Sequence, residues 1–201
     1  MINKKKSRYL VLLTVSIFFS AFNSFVVAQV YKIIPASSSM TIFGTTNVHD
    51  FQSKVGQISG EVVINASKQV QSLSVDVPVK GIKSNEKAMD NKTYEAFKSD
   101  KNPNISFRLI EVGSLQINDN EMEGIVSGNL TMAGVTRKVS FKAIGKSNKA
   151  GMFQVKGALP LKMTDFKMTP PTALMGMMKV GDAITLKFDV TIATPNMTSN
   201  N

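Results

Sequence analysis

Apolar and polar residues alternate with a period of two from Ser39 onward, the mark of strands with one buried face. Leu73, Val75, Val77 and Val79 alternate with Ser72, Ser74, Asp76 and Pro78. Ile58, Val62 and Ile64 share an apolar side with Gly60, and Met122, Val126, Leu130 and Met132 share one with Gly124 and Gly128. Phe153, Val155, Leu159 and Leu161 repeat the pattern around Gly157, and the cleanest run is Ile184, Leu186, Phe188, Val190 and Ile192. Shorter strands are expected at 40–45, 105–112 and 138–144. This makes about eight strands, separated by turn clusters such as Asn118-Asp119-Asn120 and Ser147-Asn148-Lys149-Ala150-Gly151. An all-β domain follows, either a sandwich or an up-and-down antiparallel barrel. The glycines on apolar faces favour the barrel, where the wall bends or a ligand comes close.

Two segments break this rhythm. Ser84 is placed to cap a helix running to about Lys98, with Glu86 in its first turn and Lys98 in its last, and with Met89, Thr93, Tyr94 and Phe97 on one side. Met163 to Lys179 is a methionine-rich loop in which Pro170-Pro171 can open a short helical turn. Thr131 to Thr136 reads as a tight hairpin connection.

The first residues are of another kind. Lys4, Lys5, Lys6 and Arg8 precede an apolar stretch from Tyr9 to Phe22, and Val26-Val27-Ala28 supplies a peptidase site. Residues 1–28 are therefore expected to be a cleaved signal peptide. Ser16, Ser20, Asn23 and Ser24 interrupt the run and disfavour a membrane anchor. What remains is one domain over 29–195 and a polar, flexible tail at 196–201, in a periplasmic or secreted protein. Removing four positive and no negative residues lowers the formal charge from +10 to +6, so much of the basicity belongs to the leader.

The other lysines and arginines are scattered, whereas a nucleic-acid footprint is a clustered basic face; no nucleic-acid partner is expected. A transient attraction to an anionic membrane surface is compatible with the charge. With 43% hydrophobic and 19% charged residues, the composition is that of a folded globular chain. The absence of cysteine excludes disulfides, cysteine zinc sites and thiol catalysis.

His49, the only histidine, has Asp50 beside it, and a histidine base needs an orienting carboxylate. Neighbours in a strand point to opposite faces, however, so a turn or barrel-rim histidine is the expected role. Met163, Met168, Met175, Met177 and Met178 could offer thioethers to Cu(I), but methionine is more ordinarily an adaptable apolar filler. Asp165, Asp182 and Asp189 form no evident catalytic pair, and no strand–helix pattern supports a phosphate loop. No enzyme activity, metal or cofactor is expected. Phe107, Phe141, Phe153 and Phe188 fall on the apolar faces of four strands, and an eight-stranded barrel can be filled by such side chains or hold a ligand among them. Periodicity does not separate the two.

Several spaced blocks resemble the YceI-like family. They are Tyr31-x-Ile33-x-Pro35 with Ser38; Asn85-Glu86-Lys87 with Asp90, Phe97 and Pro103-x-Ile105-x-Phe107; Gly128-x-Leu130-Thr131-x-x-Gly134-Val135-Thr136-Arg137-x-Val139; Asp165-Phe166; and Val180-Gly181-Asp182. Where many members carry Lys-His-x-Gly, this chain has Asn47-Val48-His49-Asp50-Phe51, the form of a divergent subgroup. The resemblance implies an extended, lipocalin-like antiparallel β-barrel of about eight strands with one flanking helix. It also implies a polyisoprenoid or other long-chain lipid inside. The expected lining is Phe107, Val126, Phe141, Phe153 and Phe188, with Phe166 and Met175 near the mouth and a head group near His49 or the loop before Val180. The alternative is a solid-core structural or interaction module without a small ligand. A monomer and a homodimer are both compatible with the sequence.

Overall fold

A computed structural model describes residues 28–147 and 151–195. The expected leader lies outside the described residues except for Ala28, as do the expected tail and residues 148–150 of one expected turn. No described helix is long and apolar enough to cross a membrane.

The strands are β1 (Gln29–Ile33), β2 (Ser39–Thr46), β3 (Asp50–Val55), β4 (Ser59–Ile64), β5 (Val70–Pro78), β6 (Ile82–Lys83), β7 (Asn104–Asn118), β8 (Glu121–Met132), β9 (Val135–Ser147), β10 (Phe153–Lys162), β11 (Thr172–Ala173) and β12 (Met178–Ala193), with one helix, α1 (Lys87–Phe97). They form a closed antiparallel barrel of eight staves. Three staves are broken in the middle. β1 and β2 both pair with β12, β4 and β3 pair with β1 and β2 respectively, and β5 and β6 continue alongside them. The other five staves are β7, β8, β9, β10 and β12, in sequence order around the ring. Ile33 opposite Ile192 and Met40 opposite Phe188 close the circle.

The breaks fall where the chain cannot hold a ladder. Pro35 opens a short 3-10 turn, which ends on a bond from the Ser38 N–H to the Pro35 carbonyl. Gly56 donates to the Gly81 carbonyl at 2.8 Å, which ties the second and third breaks together. The β8–β9 hairpin turns on Ala133 and Gly134, both at positive φ (50° and 80°), the two-residue connection that suits twisted strands.

The helix is shorter than the sequence suggests. It begins at Lys87 with Glu86 at its cap position, and Ser84 does not cap it. Instead Asp90, buried, reaches back and accepts the Ser84 N–H at 2.6 Å and its hydroxyl at 2.8 Å. Burial pushes the Asp90 carboxyl upward, but the two Ser84 hydrogen bonds and the nearby Lys83 charge outweigh it and hold the group below its ordinary value. A lowered carboxylate pKa contributes stability above the ordinary value near 3.9, which is lost as pH falls through the folded value. Asp90→Asn is expected to lose about 1–2 kcal/mol at neutral pH. The deficit relative to the parent should shrink in urea titrations carried into acid below about pH 3.9. Pro170-Pro171 starts no helix, because Val180 donates to the Pro171 carbonyl and draws the segment into the β11–β12 ladder.

Candidate functional site

Residues directly opposed in an antiparallel ladder share a face, so the register sorts the wall into inside and outside. Val126 faces Phe141, Gly157 faces Phe188 and Ala143, and Val75 faces Phe107. Outside, ion pairs link neighbouring staves, among them Arg108–Asp76 (2.9 Å), Lys142–Glu123 (2.6 Å) and Lys156–Asp189 (3.0 Å). Inside, the positions between the two ends are apolar, with Ser53 as the polar exception.

A belt of phenylalanines crosses five consecutive staves. Phe107 on β7, Phe141 on β9 and Phe188 on β12 stand with ring centroids 5.6 Å apart in each step. Gly128 and Gly157 occupy the staves between them. A Cβ on Gly128 would overlap the tip of the Phe107 ring, and one on Gly157 the tip of the Phe188 ring. Each ring thus lies across its neighbour's bare backbone. Phe153 joins a separate pair, edge-on to Tyr31 at 5.5 Å, and Tyr31 donates its hydroxyl to Gln29 Oε1 at 2.8 Å.

The two ends differ. At one, the 3-10 turn Met163–Phe166 packs on β9, β10 and β12. Asp182 accepts the Thr164 N–H (2.8 Å) and hydroxyl (2.7 Å), bonds that lower its pKa, while Arg137 donates to the Asp165 carbonyl at 2.8 Å. Phe166, only 1% exposed, belongs to the same buried cluster as Met163, Met168, Val79, Ile82 and Phe97. This plug seals the end. At the other end Ile117 faces inward opposite Met122 and yet is 57% exposed. Between the two, inward-facing Leu73, Phe141, Val155 and Phe188 are only half-buried.

Of the residues expected at the site, Phe107, Val126, Phe141, Phe153 and Phe188 share the inner wall. Phe166 is sealed in the plug and stands at no mouth. Met175 is fully exposed, on a left-handed residue of the β11–β12 loop, and forms no part of the wall. His49 is exposed in the β2–β3 turn, where its own N–H and carbonyl bond to Thr46. His49→Gln is expected to leave both stability and ligand titrations unchanged, because those bonds are the backbone's. The methionines are divided, Met163 and Met168 in the plug and Met175 and Met177 exposed. The wall residues Leu73, Val155 and Ile192 carry the same alternation as the phenylalanines, whereas Ile117 lies beyond two bulges of β7 and has no such signal. An outer groove of about 550 Å³ beside α1 is open and lined by charged groups such as Lys80 and Asp100, themselves paired at 3.2 Å. It offers an apolar chain no wall.

A family model described as the YceI-like domain matches residues 31–192. Among solved structures the chain is similar to Burkholderia cenocepacia BcnA, at 20% identity and a TM-score of 0.65, over 81% of this chain and 99% of that one. A polyisoprenoid binding domain from Saccharophagus degradans gives 11% identity and 0.65, over 83% and 99%. The Campylobacter jejuni YCEI protein gives 21% and 0.55, over 71% and 83%. No curated protein matches in sequence.

Proposed function

Because the chain belongs to the YceI-like domain family, we propose that its barrel binds a long apolar ligand, a polyisoprenoid or another lipid, and sequesters or carries it in the periplasm. The observation that carries this reading is the inner wall. It is apolar between its ends, sealed by Phe166 at one and open past Ile117 at the other, with half-buried residues between them. From Ile184 to Ile192 β12 spans about 26 Å at ~3.3 Å per residue, or roughly 20 Å along the barrel axis after strand tilt. A chain burying ten methylenes there gains about 8 kcal/mol before ordering costs, enough for useful affinity without a charged contact. The name of the Saccharophagus neighbour supports the isoprenoid class. The leader-like pattern of residues 1–28 supports export.

In this reading the tail enters past Leu115 and Ile117, and the head group stays at the rim near Gln29, Tyr31 and Ser147. The loops near His49 and Val180 lie at the plugged end and take no part. Loading calls for a transient contact with a membrane surface, and binding requires no catalytic group. The test is native mass spectrometry of the exported protein after gentle extraction, followed by titration with fluorescent geranylgeranyl and palmitoyl probes. A co-purifying lipid and saturable one-to-one binding are expected. A protein that arrives empty and refuses both probes would be the solid-core module instead.

A further inference from the structure

The phenylalanine–glycine contacts recur. Gly44 on β2 lies directly opposite Phe51 on β3, and a Cβ there would stand 2.5 Å from Cζ of that ring. Three inward-facing phenylalanines, Phe51, Phe107 and Phe188, therefore lie flat over glycines of adjacent staves. An inward side chain ordinarily stands perpendicular to its sheet, and a ring doing so in a barrel of this size projects across the interior. Rings folded against the wall take up less of the interior than rings projecting across it.

We propose that Gly157 and Gly128 are specificity-determining residues, which recess the Phe188 and Phe107 rings so that the lumen admits a methyl-branched, isoprenoid chain as well as a straight acyl chain. The proposal rests on the lipid-binding reading above and adds the reason for the ligand's width. A straight chain threads a narrower channel, whereas a chain with regularly spaced methyl groups needs the extra width at the belt. An added Cβ leaves each ring tip roughly 1 Å short of van der Waals separation, so the ring must swing into the lumen. Phe141 stands between the two rings and closes off sideways relief.

The experiment compares the geranylgeranyl and palmitoyl probes on the full exported protein and on Gly157→Ala. Geranylgeranyl affinity should fall about tenfold or more, the scale on which one methylene's misfit discriminates in an apolar pocket. Palmitoyl affinity should change less than about threefold, since its width is unaffected. Adding Phe188→Leu to Gly157→Ala shortens the displaced side chain and should restore geranylgeranyl binding. An added Cβ also crowds the Lys142 carbonyl at 2.8 Å. If Gly157→Ala does not fold, Phe188→Trp in the parent chain overfills the same recess and should show the same selective loss. Equal losses for both probes, or no change for either, would overturn the proposal. A parent protein that binds neither probe would instead sink the lipid-binding reading on which it rests.

Discussion

Phe166→Ala should lower the unfolding free energy by about 3–5 kcal/mol, the usual loss for a fully buried phenylalanine whose neighbours cannot collapse onto the gap. The ring is 1% exposed and packs with Met163, Met168 and Val79 in the buried cluster that seals one end of the barrel. Its backbone is held independently. Asp182 fixes Thr164, and Arg137 fixes the Asp165 carbonyl, so the turn stays in place and the cavity stays open. Against a typical domain stability of about 5–15 kcal/mol, such a loss leaves a marginal protein. Urea unfolding measures it as a lower midpoint with little change in slope. Phe166→Leu, which keeps most of the volume, should lose less than about 1.5 kcal/mol. If the alanine variant loses less than about 1 kcal/mol, Phe166 is no packed closure and that end of the barrel is not sealed by it.

The strands most legible in the sequence are those whose alternation never changes phase. β8 and β10 hold one apolar face along their length, and β5 does so from Leu73 and β12 from Ile184, beyond the irregularities at Val70 and Val180. β7 was readable only in its first half. Its ladder with β8 slips between Leu109 and Glu111 and again between Gly113 and Gln116, and each bulge shifts the period by a residue. The strand therefore runs to Asn118, while its alternation fades near Val112. β3 was missed because Ser53 occupies an inward position, putting a polar residue where the pattern needs an apolar one. The short β6 carries too few residues to show any period.

The site was legible as a face and not as a place. Alternation identified Phe107, Val126, Phe141, Phe153 and Phe188 as inward, but which end is sealed depends on contacts between distant residues. The Asp182–Thr164 pair and the plug that it anchors are not patterned along the chain. Met175 is expected near a mouth and a head group near His49, yet both loops adjoin the plugged end, where Asn47 bonds the Met177 carbonyl and the Lys179 N–H. The glycines on apolar faces were visible as well. Their reason lies in the ring on the next stave, and inter-strand register is not written in local sequence.

Val155→Trp is expected to separate a ligand-filled lumen from a solid core more sharply than any other single change. Val155 faces inward on β10, opposite Val190 on one side and Gly145 on the other, and is only half-buried. It lies between the phenylalanine belt and the open end, so an indole there stands across the ligand's path. Denying the tail about four methylenes removes about 3 kcal/mol of burial, at ~0.8 kcal/mol each, which is about a hundredfold in affinity. The control is Gln154→Trp, one residue earlier and facing outward, where the side chain bonds Asp189 on the surface; probe affinity there should be unchanged. Stability gives the second readout. In an open lumen the indole finds room and apolar contact, so Val155→Trp should unfold within about 1 kcal/mol of the parent, whereas forcing the same ring into a filled core would lose about 1–3 kcal/mol or more. A variant that binds geranylgeranyl as the parent does would place the ligand outside the barrel. One that binds weakly because it is badly destabilised would favour the solid core. Weak binding on an intact fold is the outcome that an apolar, one-ended lumen requires.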